Sequence, residues 1–170
     1  MSRKHTHPCA IAETLNILGD RWSLLIIREA FYGATRFGEF LTNTGISRNL
    51  LTERLLQLVD AGLLTRTPYA DRGTSYVYDL TDKGRSLDGV MLAIIDWGNR
   101  ELYGEGREPV RLVDRQSGLA LAGVRPVDKD GNLLEPSDLV LELGPGGDGR
   151  TRNRLARAKQ DIFRASDLKS

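Results

Sequence analysis

The chain has 170 residues, 40% of them hydrophobic and 28% charged, with a formal net charge of +1; this suits a globular protein of one domain, or of one domain with an appendage. No apolar run approaches the roughly 20 residues a membrane span needs, MSRKHTHPCA lacks the apolar stretch of a secretory signal, and one cysteine excludes an internal disulfide framework. The near-neutral charge neither supports nor excludes nucleic acid, since binding depends on where cations sit.

Pro8 stands where a first helix can begin, because a missing N–H costs nothing there. From Cys9, the residues Ile11, Ala12, Leu15 and Leu18 keep a helical spacing that stops at Gly19. Asp20 is placed to cap a second helix from Arg21, with Trp22, Leu25, Ile26 and Ala30 turned inward and Gly33 at its end. Residues 36–42 predict a third, short helix that buries Phe37, Phe40 and Leu41, followed by a turn at Asn43-Thr44-Gly45.

A fourth helix is expected from Ser47, whose hydroxyl would take up a backbone N–H of the first turn. Leu51, Leu55 and Leu58, flanked by Leu50 and Val59, make its buried side. Ser47, Arg48, Asn49, Thr52 and Glu53 fall opposite or at the helix start. Gly62 suits a left-handed cap. Residues 64–69 and 74–80 alternate as a hairpin around Asp71-Arg72-Gly73. Thr81 or Asp82 caps a fifth helix running to about Tyr103. Its apolar face (Leu87, Met91, Ile94, Ile95, Trp97) is broader than a small domain needs and predicts a homodimer.

That order of elements is a winged helix-turn-helix, so the expected fold class is α+β. Such a unit offers a helix end to the major groove and a polar hairpin to the backbone or minor groove. Arg48 and Asn49 can bond base edges bidentately, while Ser47 and Thr52 can hold a phosphate or a base. Arg72, with Gly73, Thr74 and Ser75, forms a hairpin tip suited to a narrow minor groove. Arg36 at the third helix start is a phosphate candidate, and Arg66 a weaker one. Arg54, at the edge of the buried side, suits a structural ion pair, for example with Glu39.

After Gly104 the chain turns rich in Val and Leu broken by Gly. Residues 109–127 and 133–143 suggest short strands, with a turn at Asp130-Gly131-Asn132. Beyond the flexible Gly144-Pro145-Gly146-Gly147-Asp148-Gly149, the tail carries Arg150, Arg152, Arg154, Arg157, Lys159 and Arg164. It is either a basic helix with a thin Leu155, Ala158 and Ile162 stripe or disordered. The expected division is residues 8–103 for DNA binding and dimerisation, 104–149 for a small β-rich extension, and 150–170 for the tail.

CAIAETLNILGDRWSLLIIREAFYGATRFGEF, ISRNLLTERLLQLVDAGLLTR, YVYDLTDKGRSL and Trp97 together resemble the HxlR-type, MarR-like winged-helix transcriptional regulators of bacteria. The resemblance spans roughly residues 8 to 100. It implies a homodimeric repressor or activator on a palindromic operator, paired through the first helix and the helix after the wing; this adds Ile11 and Leu15 to the dimer candidates. Longer family members carry His and Cys pairs at zinc-ribbon spacing after the last dimer helix. Residues 104–149 keep the frame of that ribbon without Cys or His, so the usual tetrahedral zinc site cannot form there.

In some relatives a cysteine at the place of Cys9 senses oxidants. A helix start lowers a thiol pKa, which suits that role, whereas a small buried hydrophobe is the plainer one. His5, His7 and Cys9 alternate but lack a fourth ligand, so no metal and no cofactor is expected. Asp114, Asp128, Asp130 and Glu135 form no recognisable acid pair, and no Ser-His or Cys-His arrangement stands on rigid elements. Catalysis is not expected.

The leading expectation is a cytoplasmic DNA-binding regulator, nucleoid-associated when bound, with double-stranded DNA and a second copy as partners and an oxidant or small ligand as candidate effector. The alternatives are a winged-helix protein-interaction module, or a ligand sensor without operator binding whose pocket Trp22, Phe31, Tyr32, Met91 and Trp97 would line.

Overall fold

The computed structural model describes residues 5, 6, 8–69 and 75–158. The chain forms two compact units, one up to Met91 and one from Leu92.

In the first unit, α1 (Ala10–Leu18) starts after Cys9 and closes at Gly19. α2 (Ser23–Phe31) starts at Ser23, later than Arg21. The reason is Asp20, whose carboxylate accepts the N–H groups of Trp22 (2.8 Å) and Ser23 (3.1 Å) and the Ser23 hydroxyl, and so holds a turn ahead of the helix. α3 (Phe37–Thr44) runs on to Gly45, whose left-handed φ of 70° reverses the chain with no Cβ to obstruct it. α4 (Arg48–Asp60) follows and gives way to Gly62 at φ 71°.

Ile26, Ile27, Phe40, Leu51, Leu55 and Leu58 have no exposed surface, and Leu63, Leu64, Tyr78, Leu80 and Met91 close around them. Leu51, Leu55 and Leu58 fall one or two turns apart, on the α4 face that the sequence assigns to the core. The buried face of α2 differs from the expected one: of Trp22, Leu25, Ile26 and Ala30 only Ile26 is fully buried, and Leu24, not Leu25, packs against the core. Ser23 and Glu29 are buried with Ile26 and Ile27, and Glu29 is satisfied by Arg28 (2.6 Å) and by Asn43 of α3 (2.8 Å).

β1 (Leu64–Pro68) pairs antiparallel with β2 (Tyr76–Leu80), Leu64 opposite Leu80 and Pro68 opposite Tyr76. The expected turn residues Asp71, Arg72 and Gly73 lie outside the described residues. A short extended segment joins β2 on its other edge: the Tyr78 N–H donates to the Thr35 carbonyl at 2.8 Å, and Arg36 bridges Val77.

The expected fifth helix is not continuous. α5 (Asp82–Arg85) ends in a turn at Ser86–Leu87 before α6 (Asp88–Gly98), and a π-helical turn, Asn99–Tyr103, completes the run. Thr81 caps α5, accepting the Gly84 N–H at 2.9 Å and donating to the Gly62 carbonyl at 2.6 Å. Gly84 is needed there because a Cβ would stand 2.1 Å from the Leu63 carbonyl oxygen. Gly84, Ser86 and Gly89 are poor helix formers, so the first turn caps and breaks instead of propagating.

In the second unit the expected strands shrink to two hairpins, each closed by a single antiparallel bridge, Val113 with Ala120 and Val127 with Leu133. Their apolar side chains lack cover: Leu119 is 70% exposed and Leu133 74%. Longer pairing would gain only backbone hydrogen bonds, for which water competes. The turn at Asp130-Gly131-Asn132 forms as expected, its N–H groups gathered by Asp128. α7 (Gly149–Arg157) is capped by Asp148, so the basic tail is helical this far; Ile162 lies outside the described residues. Among the described residues, no side chain beyond Met91 is buried.

Candidate nucleic-acid interface

α4 divides sharply across its axis. Leu51, Leu55 and Leu58 are sealed in the core while Ser47, Arg48, Asn49, Thr52 and Glu53 are exposed. Ser47 is the N-cap residue with extended backbone, yet its hydroxyl makes no capping bond, contrary to expectation. The first-turn N–H groups are thus not closed by this side chain, and a helix N-terminus in that condition suits an anion. Thr52 donates to the Arg48 carbonyl at 3.0 Å, which leaves its oxygen lone pairs outward. Among the described residues, no hydrogen bond or ion pair engages the Arg48 or Asn49 side chain.

Arg54 behaves differently. It does form the expected structural ion pair, but with Asp20 at 3.2 Å and Glu53 at 3.4 Å, not with Glu39. Its Nε is close to Asp20 yet out of line for a hydrogen bond. Burial alone would raise the Asp20 carboxyl; hydrogen bonds from Ser23 and Trp22 and the Arg54 charge outweigh it and hold the group below its ordinary value. Glu39 instead accepts the backbone N–H groups of Arg36 and Thr35, which lower its pKa and pin the segment that borders β2.

Four of the expected DNA contacts, Arg36, Thr52, Arg66 and Ser75, line one open cleft of about 600 Å³ between the start of α3, α4 and the hairpin. Arg36 lies over the Tyr69 ring, 4.6 Å from its centre, and Arg66 over Tyr76 at 3.4 Å. Ser47, Arg48 and Asn49 are not part of its lining. Arg72, Gly73 and Thr74 lie outside the described residues. The two tyrosines escaped the sequence analysis, although Arg66 and Tyr76 at neighbouring positions of a paired hairpin were a usable signal.

The dimer candidates separate into two groups. Met91 is buried in the core of its own chain, and Leu87 is half-buried against the same core. Ile11, Leu15, Ile94 and Trp97 are exposed, at 72%, 49%, 44% and 53%, and Ile95 is half-buried. Cys9 is half-buried beside Ala10, at the start of α1.

The aromatic set proposed for a ligand pocket is not gathered into one. Trp22, Phe31 and Met91 belong to the core region, while Tyr32 is 57% exposed. Among the described residues, no group of three or more His, Cys, Asp and Glu side chains could hold a metal; His7 falls outside them. Asp114 and Asp128 organise turns, and Asp130 and Glu135 pair with Lys129 and Arg125. No helix among the described residues is long and apolar enough to cross a membrane.

Residues 17–105 match the model of the HxlR-like helix-turn-helix family. The chain is 39% identical to an uncharacterised HTH-type transcriptional regulator of Mycobacterium bovis, Mb3122, over 81% of this chain and 87% of that one. Among solved structures, the candidate transcription factor PA1607 superposes with a TM-score of 0.71 at 38% identity, over 80% of this chain and 95% of that one. PA1374 of Pseudomonas aeruginosa, a second candidate transcription factor, gives 0.64 at 38% identity, over 86% and 99%.

Proposed function

The chain belongs to the HxlR-like helix-turn-helix family of DNA-binding transcriptional regulators, and from that premise we propose that it works as a homodimer on a palindromic operator. The observation that carries this reading is the division of α4, whose leucine side is sealed while its polar N-terminal end faces outward. In this reading Arg48 and Asn49 read base edges, and Ser47 and Thr52 hold backbone or base. Arg36 and Arg66 take phosphates, while Arg72, Gly73, Thr74 and Ser75 meet the adjoining groove. Two half-sites stand about one helical turn, roughly 10 base pairs, apart.

Residues 8–103 supply reading and pairing, with Ile11, Leu15, Ile94, Ile95 and Trp97 as the pairing surface. Residues 104–149 form the extension and 150–170 the basic tail. The site of action is the cytoplasm. Control through Cys9 fits the same arrangement, because the thiol stands two positions before Ile11: an oxidant would take two hydrogens from the thiols of paired subunits and leave one S–S bond.

The test is fluorescence anisotropy with a labelled duplex from the region upstream of the chain's own gene, against a random duplex, with and without oxidant. The expected result is preference for the upstream duplex, a steep fall in affinity with salt, and altered affinity after oxidation. Equal affinity for both duplexes sinks operator reading, and unchanged affinity after complete Cys9 oxidation ends the redox element. A protein-interaction module would present an acidic or apolar surface at this helix end; Arg48 and Asn49 stand there instead.

A further inference from the structure

Opposed residues of β1 and β2 share a face: Leu64 with Leu80, Arg66 with Tyr78, Pro68 with Tyr76. The inner end of that face is sealed core, with Leu64 at 2%, Tyr78 at 6% and Leu80 at 8% exposure. Farther out, the hairpin and the helices part and leave the 600 Å³ cleft, walled by Arg36, Phe37, Thr52, Arg66, Tyr69 and Tyr76 among others, with no Asp or Glu among the described residues of its lining. Each arginine rests on a tyrosine ring. A guanidinium stacked this way is shielded from water on one face and loses rotamer freedom in advance, while its N–H edge stays open to an acceptor. Neither arginine makes an ion pair within 4.0 Å among the described residues, although the Arg36 charge is one of the influences that lower the Glu39 carboxyl. The cations are therefore held in place by the rings, and neither is tied up in a close ion pair among the described residues.

We propose that this cleft is a phosphodiester seat for the backbone of one DNA strand, with Arg36 and Arg66 as phosphate ligands and Tyr69 and Tyr76 as positioning residues. The proposal rests on the DNA-binding reading and extends it, since it makes affinity depend on two rings that carry no charge. Because the backbone is common to all sequences, the contribution is the same for operator and random DNA.

The experiment measures Kd across a salt series for both duplexes with the full chain and the variants Tyr76→Leu, Tyr76→Phe, Arg66→Ala and Tyr76→Leu/Arg66→Ala. Tyr76→Leu is expected to weaken both duplexes alike by about five- to tenfold, in the range of a stacked cation. Its salt slope stays at the wild-type value because no charge is lost. Tyr76→Phe keeps the ring face and stays within about twofold of wild type. Arg66→Ala lowers the slope by about one, and in that background Tyr76→Leu adds nothing, a coupling that a merely structural tyrosine would not give.

If Tyr76→Leu fails to fold, Arg66→Lys replaces it: the charge stays, the planar stack goes, and affinity falls at constant slope. The proposal is overturned by a Phe variant as weak as Leu, by a Leu effect that persists without Arg66, or by tyrosine variants that bind like wild type. In those cases operator reading still stands. Wild-type protein that binds neither duplex defeats both.

Discussion

Both halves of the chain are rich in leucine and valine, yet only the first buries them. Up to Met91, α2, α3, α4 and the hairpin face one another, and six side chains lose all contact with water. From Leu92 on, comparable residues are half-buried or exposed, with no second layer against them among the described residues. What shapes the second half is polar: Asp114, Asp128 and Asp148 each gather hydrogen bonds from a following turn. Those bonds, led by the Ser117 hydroxyl, the Asn132 side chain and the Thr151 N–H respectively, lower their carboxyl pKa values. Turn chemistry can therefore fix a path without a core, but it cannot supply a core's free energy.

The contrast is sharpest when equivalent truncations are compared. Leu55→Ala is expected to cost about 3–4 kcal/mol in urea unfolding, whereas Leu133→Ala should stay within about 0.5 kcal/mol. A Leu133 loss as large as that at Leu55 would mean the side chain is covered in the assembled protein, and the contrast between the halves would fail. Gly84→Ala should follow at about 2–3 kcal/mol, because the new methyl collides with backbone that has little room to move.

Arg48→Ala separates folding from reading within the first half. Operator binding should weaken by about 1–3 kcal/mol, with specificity relaxed at one position and the unfolding midpoint unmoved. Asp20→Asn is smaller, about 1 kcal/mol at pH 7, as for loss of a helix-start carboxylate. Asp20 has a lowered folded pKa, so its contribution is present above the ordinary carboxylate range and is lost as pH falls through the folded value. The gap between wild type and variant should therefore narrow in acid, and a gap constant with pH would exclude the carboxylate as its source. Least of all, Asp128→Ala should quicken amide exchange at Asp130 and Asn132 and leave the main unfolding transition in place.

The winged-helix order was legible because glycines at 45 and 62 and the leucine spacing of α4 are local signals. Burial of Ser23 and Glu29 was not, since each depends on a partner: Asp20 in the turn before α2, and Asn43 on α3. Ser47 was read by residue type as a side-chain cap, whereas its backbone occupies the position and its hydroxyl does not. The break at Ser86–Leu87 was hidden by an apolar spacing that continues across it; α5, started by the Thr81 cap, ends after one turn at Ser86. Strands in the second half are expected from a composition rich in Val and Leu and broken by Gly, which carries no information about cover. Within the interface, the candidates were visible one by one, but the clustering of Arg36, Thr52, Arg66 and Ser75 needed three dimensions.

The bridge between Arg36 and Val77 ties the stem of the hairpin to the front of α3. A change that displaces the start of α3 should therefore be felt in β2 as well, and reshape the cleft that both of them line.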